Sequence, residues 1–266
     1  MKKRTFFKKL VLAIAIMYAP IKSMAWGAEG HRICGQIADT YLSPKARLAI
    51  KAILGDESIA MASTWADFIK SDPAFNYLSS WHYIDFDKVY SYPEIVEFLN
   101  HDTNTDAYTK LNFLIGELKK KDLTKENKLL YLRMLIHIAE DVNQPMHSAR
   151  SEDKGGNDIK LTWQNAPTNL HAVWDSKLID NQQLSYTEYA AAINHATWAQ
   201  RAEWQKQPIS QWLFESNQIA EKLYSELKSG DTIDAYKYNF NHIETVNKQL
   251  LKGGVRLAGV LNKIFG

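Results

Sequence analysis

One cysteine, Cys34, stands in 266 residues, so no internal disulfide can staple the chain. Stability must come from packing, and 45% apolar residues over this length is ample for a buried core. Glycine and proline form no linker, and no repeat of about 20–50 residues recurs, which excludes a solenoid and favours a single domain. Long apolar runs are missing as well. The run "LVLAIAI" at Leu10 to Ile16 falls short of the roughly 20 residues that span a bilayer, and no stop-transfer segment follows.

That short run has a different meaning at its position. Lys2, Lys3, Arg4, Lys8 and Lys9 precede it and Ser23-Met24-Ala25 follows, with small residues at the −3 and −1 positions. This layout predicts a secretory signal peptide over 1–25 and a secreted or periplasmic domain over 26–266, with no membrane anchor left after cleavage. Trp26 would then open a mature chain of 241 residues. The segment removes six of the 32 basic residues and no acid, leaving 26 against 30 acidic ones, a net of −4. A protein that grips nucleic acid through phosphate contacts is usually basic. Any polyanionic substrate would have to be held by something else, with metal cations the obvious candidate.

Helical signals dominate the rest. "SPKARLAIKAIL" starts with Ser43 as a plausible N-cap and Pro44 in the first turn, and Gly55 stops it. Apolar residues recur at three- and four-residue intervals in "YPEIVEFLN", "TDAYTKLNFLIGELKK", "ENKLLYLRMLIHIAEDV", "SYTEYAAAINHATWAQRAEW", "ISQWLFESNQIAEKLYSELK" and "ETVNKQLLKGGVRLAGVLNKIF". Only "NDIKLTW", Asn157 to Trp163, reads as a short strand or hairpin. The expected fold is mainly α: a single-domain helical bundle with a short β-hairpin.

The chemistry concentrates in "LIHIAEDVNQPMH", residues 135–147. His137 and Asp141 are four apart and project from one helical face. Pro145 should end that helix and let His147 return to the same region. A second His-x-x-x-Asp pair, His171 and Asp175, stands in "NLHAVWDS". Upstream, Asp67 in "STWADFIK", His82 in "WHYIDFD" and His31 sit in aromatic-rich or helical settings, while His101, His195 and His242 have no such company. Imidazole with carboxylate oxygen suits zinc, and the lone thiol is a poor basis for a structural Cys-rich site. Five histidines and three aspartates exceed one tetrahedral ion and fit two or three, the arrangement that clamps both oxygens of a phosphoester displacement. Cys34, in "HRICGQIA", reads as a small core residue.

In this order, the residues resemble the zinc-dependent S1/P1 nuclease family, from "WGAEGH" to "NLHAVWDS"; the C-terminal helices add nothing to the likeness. The resemblance implies a trinuclear zinc cleft holding three Zn2+ ions. Asp67, His82, His137 and Asp141 would hold the first. Trp26, through its free α-amine and carbonyl, would hold the second with His31 and a bridging Asp141. His147, His171 and Asp175 would hold the third. It further implies metal-assisted hydrolysis of single-stranded DNA and RNA to 5′-phosphorylated products, with nucleotides as further substrates (a 3′-nucleotidase activity) and no obligate protein partner. Tyr83 would stack on an unpaired base and Asp85 accept from its edge; the alternative for Tyr83 is core packing between Trp81 and Phe86. Asn157 matches a loop near the scissile phosphate. Lys70 stands where many relatives carry arginine, so a point charge replaces a bidentate fork. With one cysteine, the disulfides of fungal relatives are impossible. Two rival readings remain at this level. A zinc phospholipase C has a longer gap after its N-terminal tryptophan and a glutamate as final ligand, unlike Trp26–His31 and Asp175. A non-catalytic zinc-binding protein would close every coordination position.

Overall fold

The computed structural model describes residues 26–266; the expected signal segment lies outside the described residues. Helices α1 (Ala28–Thr40), α2 (Pro44–Leu54), α3 (Ile59–Ala62) and α4 (Trp65–Ile69) come first, followed by a 3-10 helix over Pro73–His82 and strand β1 (Ile84–Phe86). Then come α5 (Tyr92–Asn100), α6 (Ala107–Leu118) and α7 (Lys125–Asp141), a 3-10 turn at Pro145–His147 and β2 (Ser148–Arg150). Strands β3 (Lys160–Trp163) and β4 (Ala166–Asn169) lead into α8, in which Leu170–Ala172 runs through a π-turn at Val173–Lys177 into Leu178–Asp180. The chain closes with α9 (Tyr186–Ile193), α10 (Trp198–Lys206), α11 (Ile209–Glu226), β5 (Thr232–Ile233) and α12 (Ala235–Phe265).

The mainly helical expectation holds, and local caps explain where helices begin. Ser43 accepts from Ala46 N at the start of α2, and Thr124 accepts from Asn127 N at the start of α7. One expectation fails: the continuous helix over Ser185–Trp204 is two helices. Asn194 ends α9 because its side chain is engaged elsewhere, accepting from Tyr41 Oη and donating to Thr40 Oγ1. Thr197 then starts α10 with a capping box to Gln200.

Two small sheets pin loops rather than form a layer. The expected hairpin is β3 and β4, antiparallel, with β5 added parallel to β3. The other, β1 beside β2 in parallel with Ile84 opposite Ser148, was not anticipated; three-residue strands are too short to show a period. Its effect is local but decisive. His82 and His147 each stand just before a paired strand, so the ladder brings them side by side.

Buried apolar residues form two clusters. One gathers α2 to α7 around residues such as Ile50, Leu78, Leu111 and Leu135; the other gathers α1, the β3–β4 hairpin, α8, α9 and α11 around Ile33, Trp163, Trp174 and Leu223. Helix α12 feeds both, through Leu250 and Leu257. It lies tight against α1 at the glycine pair Gly253-Gly254, where a Cβ on Gly254 would sit 2.6 Å from Ile37 Cγ2 and 2.8 Å from the Cys34 carbonyl. Two glycines inside a helix cost intrinsic helicity, and the close approach is what they permit.

A buried polar lock ties α12 to the end of α7. Arg256, with no exposed surface, donates to Asn143 Oδ1, Gln207 Oε1 and Glu215 Oε2, and Lys252 also donates to Glu215 Oε2 at 2.7 Å. Replacing Arg256 with methionine should lower unfolding free energy by about 3 kcal/mol, because the buried Asn143 oxygen and the partly buried Glu215 carboxylate each lose a charged partner. The shift in urea midpoint measures it.

Candidate metal centre

The seam between the two clusters holds the polar residues singled out in the sequence. His137 and Asp141 sit one turn apart at the end of α7, both fully buried. His137 Nε2 is 3.0 Å from Asp141 Oδ2, and His82 Nδ1 approaches the same oxygen at 3.1 Å. The other oxygen, Oδ1, is 3.4 Å from His31 Nε2 and 3.6 Å from His147 Nδ1. One carboxylate therefore faces two groups, offering an oxygen to each. Asp67 reaches in from α4, with Oδ1 3.8 Å from His137 Nε2 and Oδ2 3.9 Å from His31 Nε2. At the far end His171 Nε2 is 3.2 Å from Asp175 Oδ2, and His147 Nε2 is 3.8 Å from Asp175 Oδ1.

Ligand-type atoms lie within 4.8 Å of one another in His31–Asp67–His137, in His82–His137–Asp141 and in His147–His171–Asp175. These residues fit a cation on a direct test. His31 Nε2, Asp67 Oδ2, Asp141 Oδ1, His147 Nε2 and Asp175 Oδ2 are all buried with no hydrogen-bond partner. Unpaired buried polar atoms are costly, and a metal ion shared among them removes that cost.

The outward ring nitrogens show how the donors are aimed. His31 Nδ1 pairs with Glu140 Oε2 at 2.6 Å, His137 Nδ1 with the Ser63 carbonyl at 2.6 Å, His147 Nδ1 with the His82 carbonyl at 2.7 Å and His171 Nδ1 with the Gly155 carbonyl at 2.7 Å. Each Nδ1–H so held leaves an Nε2 lone pair facing the cleft. Gln144 Nε2 donates to Asp175 Oδ1. None of these supports was found in the sequence. Backbone carbonyls leave no trace there, and Glu140 was hidden beside its stronger neighbour Asp141.

Burial shapes the protonation states. It pushes His31 down, His82 down to about 4 and His147 down to about 3, so these three rings are neutral at pH 7; burial pushes His137 and His171 down too, but Asp141 and Asp67 beside the first and Asp175 beside the second outweigh it and raise them. Burial also pushes Asp141 upward, but His137 and His147 outweigh it and hold the carboxyl well below its usual range. Burial raises Asp175 to about 6, and it also holds Glu140 well above the usual carboxylate range.

The start of the described chain is stitched to the same seam. Trp26 is fully buried, its indole Nε1 donates to the Glu140 carbonyl at 3.1 Å, and Gly27 N donates to the Asp175 carbonyl at 2.8 Å. Tyr83 is 41% exposed while Trp81 and Phe86 are buried, which overturns the core-packing alternative. Asp85 lies on the exposed face of β1; partial burial and Asp153 raise its carboxyl, and His171 lowers it. Lys70 Nζ rests 2.7 Å from Asp67 Oδ1, beside a ligand-type carboxylate. Asn157 instead closes its own turn, donating to the Lys154 carbonyl at 2.8 Å, and joins none of the three His/Asp groups. Cys34 is buried and donates to the Leu250 carbonyl, a core residue as expected. His101 and His242 pair with Glu97 and Glu226, away from these groups.

A helical protein that gathers three His/Asp groups in one buried seam, with several of their ligand-type atoms unpaired, is built as a metal-dependent enzyme. Comparison of the sequence specifies which kind: the family model described as S1/P1 Nuclease matches residues 26–266, and the chain belongs to that family of hydrolases. It is 27% identical to Endonuclease 2 of Arabidopsis thaliana over 290 aligned positions, covering 97% of this chain and 96% of the relative. It is 29% identical to Nuclease P1 of Penicillium citrinum, covering 91% of this chain and 98% of the relative. Nuclease S1 of Aspergillus oryzae is 28% identical over 61% of this chain and 57% of its own length.

Gly155 carries a direct test of how His171 is aimed. Its φ is +61°, and a Cβ there would lie 2.4 Å from the Met146 carbonyl. Gly155→Ala should displace the carbonyl that holds His171 Nδ1 and weaken metal binding by the His147–His171–Asp175 group at least tenfold. Competition with a chelator of known affinity measures it.

Proposed function

We propose that this nuclease is zinc-dependent, binds three ions, and hydrolyses phosphodiesters of single-stranded DNA and RNA to 5′-phosphorylated products, with 3′-nucleotides also accepted. The observation that carries the reading is the convergence of unpaired buried ligand atoms along one seam in a chain of this family. Zinc is favoured by the donor set of neutral imidazoles and carboxylates. Asp67, His82, His137 and Asp141 would hold one ion; His31, Asp141 and the backbone of Trp26 a second; His147, His171 and Asp175 a third. In support, Asp141 presents separate oxygens to the His82–His137 side and to the His31 side.

Bound ions supply Lewis acidity, making water a competent nucleophile near neutral pH and offsetting charge on the phosphate. The chain's own side chains do the rest. Tyr83 offers a ring face to an unpaired base, and Asp85 an acceptor for its edge. Lys70 carries positive charge next to Asp67, where it steadies that carboxylate and draws the phosphate toward it. Asn157, on the loop that also supplies the Gly155 carbonyl, is assigned a supporting contact to the phosphate.

The second ion needs an amine, and an internal Trp26 has only an amide. Signal cleavage after Ala25 would create it, and the family match likewise starts at residue 26. An enzyme prepared with Ala25 retained should bind one zinc fewer per chain and lose most activity on single-stranded DNA. Metal analysis of the two purified forms, with cleavage rates, tests this; equal zinc content and equal rates would refute the terminal-ligand assignment. Chelation should abolish cleavage in the mature form and lower its melting temperature, and zinc should restore both.

A further inference from the structure

Exposed apolar side chains are scattered singly on most soluble proteins. Here, of eleven large ones among the described residues, six fall between Met61 and Phe113, the stretch that carries Asp67 and His82. Within it aromatic rings touch in sequence. Phe75 stacks on Tyr77 with centroids 6.4 Å apart, and Tyr77 meets Trp81 edge-on at 6.0 Å. Lys110 of α6 lies over Trp81 at 5.1 Å and over Phe113 at 5.6 Å, and Phe113 meets Tyr131 of α7 at 5.7 Å. Tyr77 is 54% exposed and Phe113 40%, so the strip presents ring surface to solvent.

The strip is tied to the segments that carry His82 and His137. Trp81 directly precedes His82, and the Tyr83 carbonyl accepts from Ala107 N at 2.9 Å, fixing the start of α6 beside it. Tyr131 lies six residues before His137 on α7, about 9 Å of helix. We propose that this strip is an extended track for a single-stranded nucleic acid, stacking bases beyond the one at the metal centre; it rests on the nuclease reading above. Rings stack on any unpaired base, and Lys110, resting on aromatic faces rather than a carboxylate, supplies a cation for the backbone. Arg133, nearby on α7, is already paired with Glu57, so phosphate contacts along the track are few. Affinity carried by stacking suits a mature chain that is acidic overall, and it should vary only shallowly with salt.

The test compares cleavage of a sixteen-residue oligothymidylate and a thymidine dinucleotide by the metal-loaded enzyme. The double substitution Tyr77→Ser with Phe113→Ser should raise KM for the long substrate about tenfold, the scale of losing one or two base stacks, without a matching rise for the dinucleotide. Lys110→Glu, which removes no ring, should act in the same direction, so a folding defect in the double variant would not mimic the result. Tyr236→Ser with Phe240→Ser removes two still more exposed rings from α12 and should leave the long-substrate KM at the parent's value. A parent that cleaves both substrates, with KM for the long one unmoved by either track variant, overturns the track alone. A parent that cleaves neither overturns the nuclease reading, and the track with it. Pelleting with phosphatidylglycerol vesicles that the double variant loses, while oligonucleotide KM stays constant, would reassign the strip to a lipid surface.

Discussion

Everything in the seam depends on the two oxygens of Asp141. They face opposite ways from a fully buried carbon, one toward His82 and His137, the other toward His31 and His147. A carboxylate so placed cannot be hydrated, and its charge is tolerable only because imidazoles close on both sides. Satisfying it dictates that α1, the end of α7, the segment before β1 and the segment before β2 meet at one point. The two apolar clusters are the scaffolding on either side of that meeting.

The histidines are not aimed by their own rotamers alone. Three of the four outward ring nitrogens are held by carbonyls from segments remote in sequence: Ser63 behind His137, His82 behind His147, Gly155 behind His171. The fourth is held by Glu140. Each support belongs to a tight loop or a helix end, and those loops are in turn closed by other elements. Tyr224 of α11 donates to Asp153, which accepts from Gly156 N, so even the last long helix before the C-terminal one steadies the loop behind His171. This explains why a site made of eight side chains needs a domain of this size around it.

How much of this was legible follows from what each feature writes into the sequence. Helices declare themselves by apolar period, and His137 with Asp141, or His171 with Asp175, by a spacing of four. The parallel pair β1–β2 writes nothing, since three residues have no period and their partner is far along the chain. The break at Asn194 was missed because its cause is tertiary, a side chain taken up by Tyr41 and Thr40. His171 and Asp175 lie 3.2 Å apart at that spacing although the segment is a π-turn rather than an α-turn, a local widening frequent at functional sites. Glu140 and the aromatic strip were equally visible as letters; only their burial and mutual contact distinguish them.

The β1–β2 ladder also carries an entropic cost. Pairing Ile84 with Ser148 sets His82 beside His147, and with α5, α6 and α7 between the two strands that is a long loop to close. Non-local pairings of this kind are slow to close. In the unfolded chain the acids and imidazoles of the seam stand in water, where their charges cost little. Gathering them into a buried seam therefore sets loop closure and desolvation against the packing of the helices on either side.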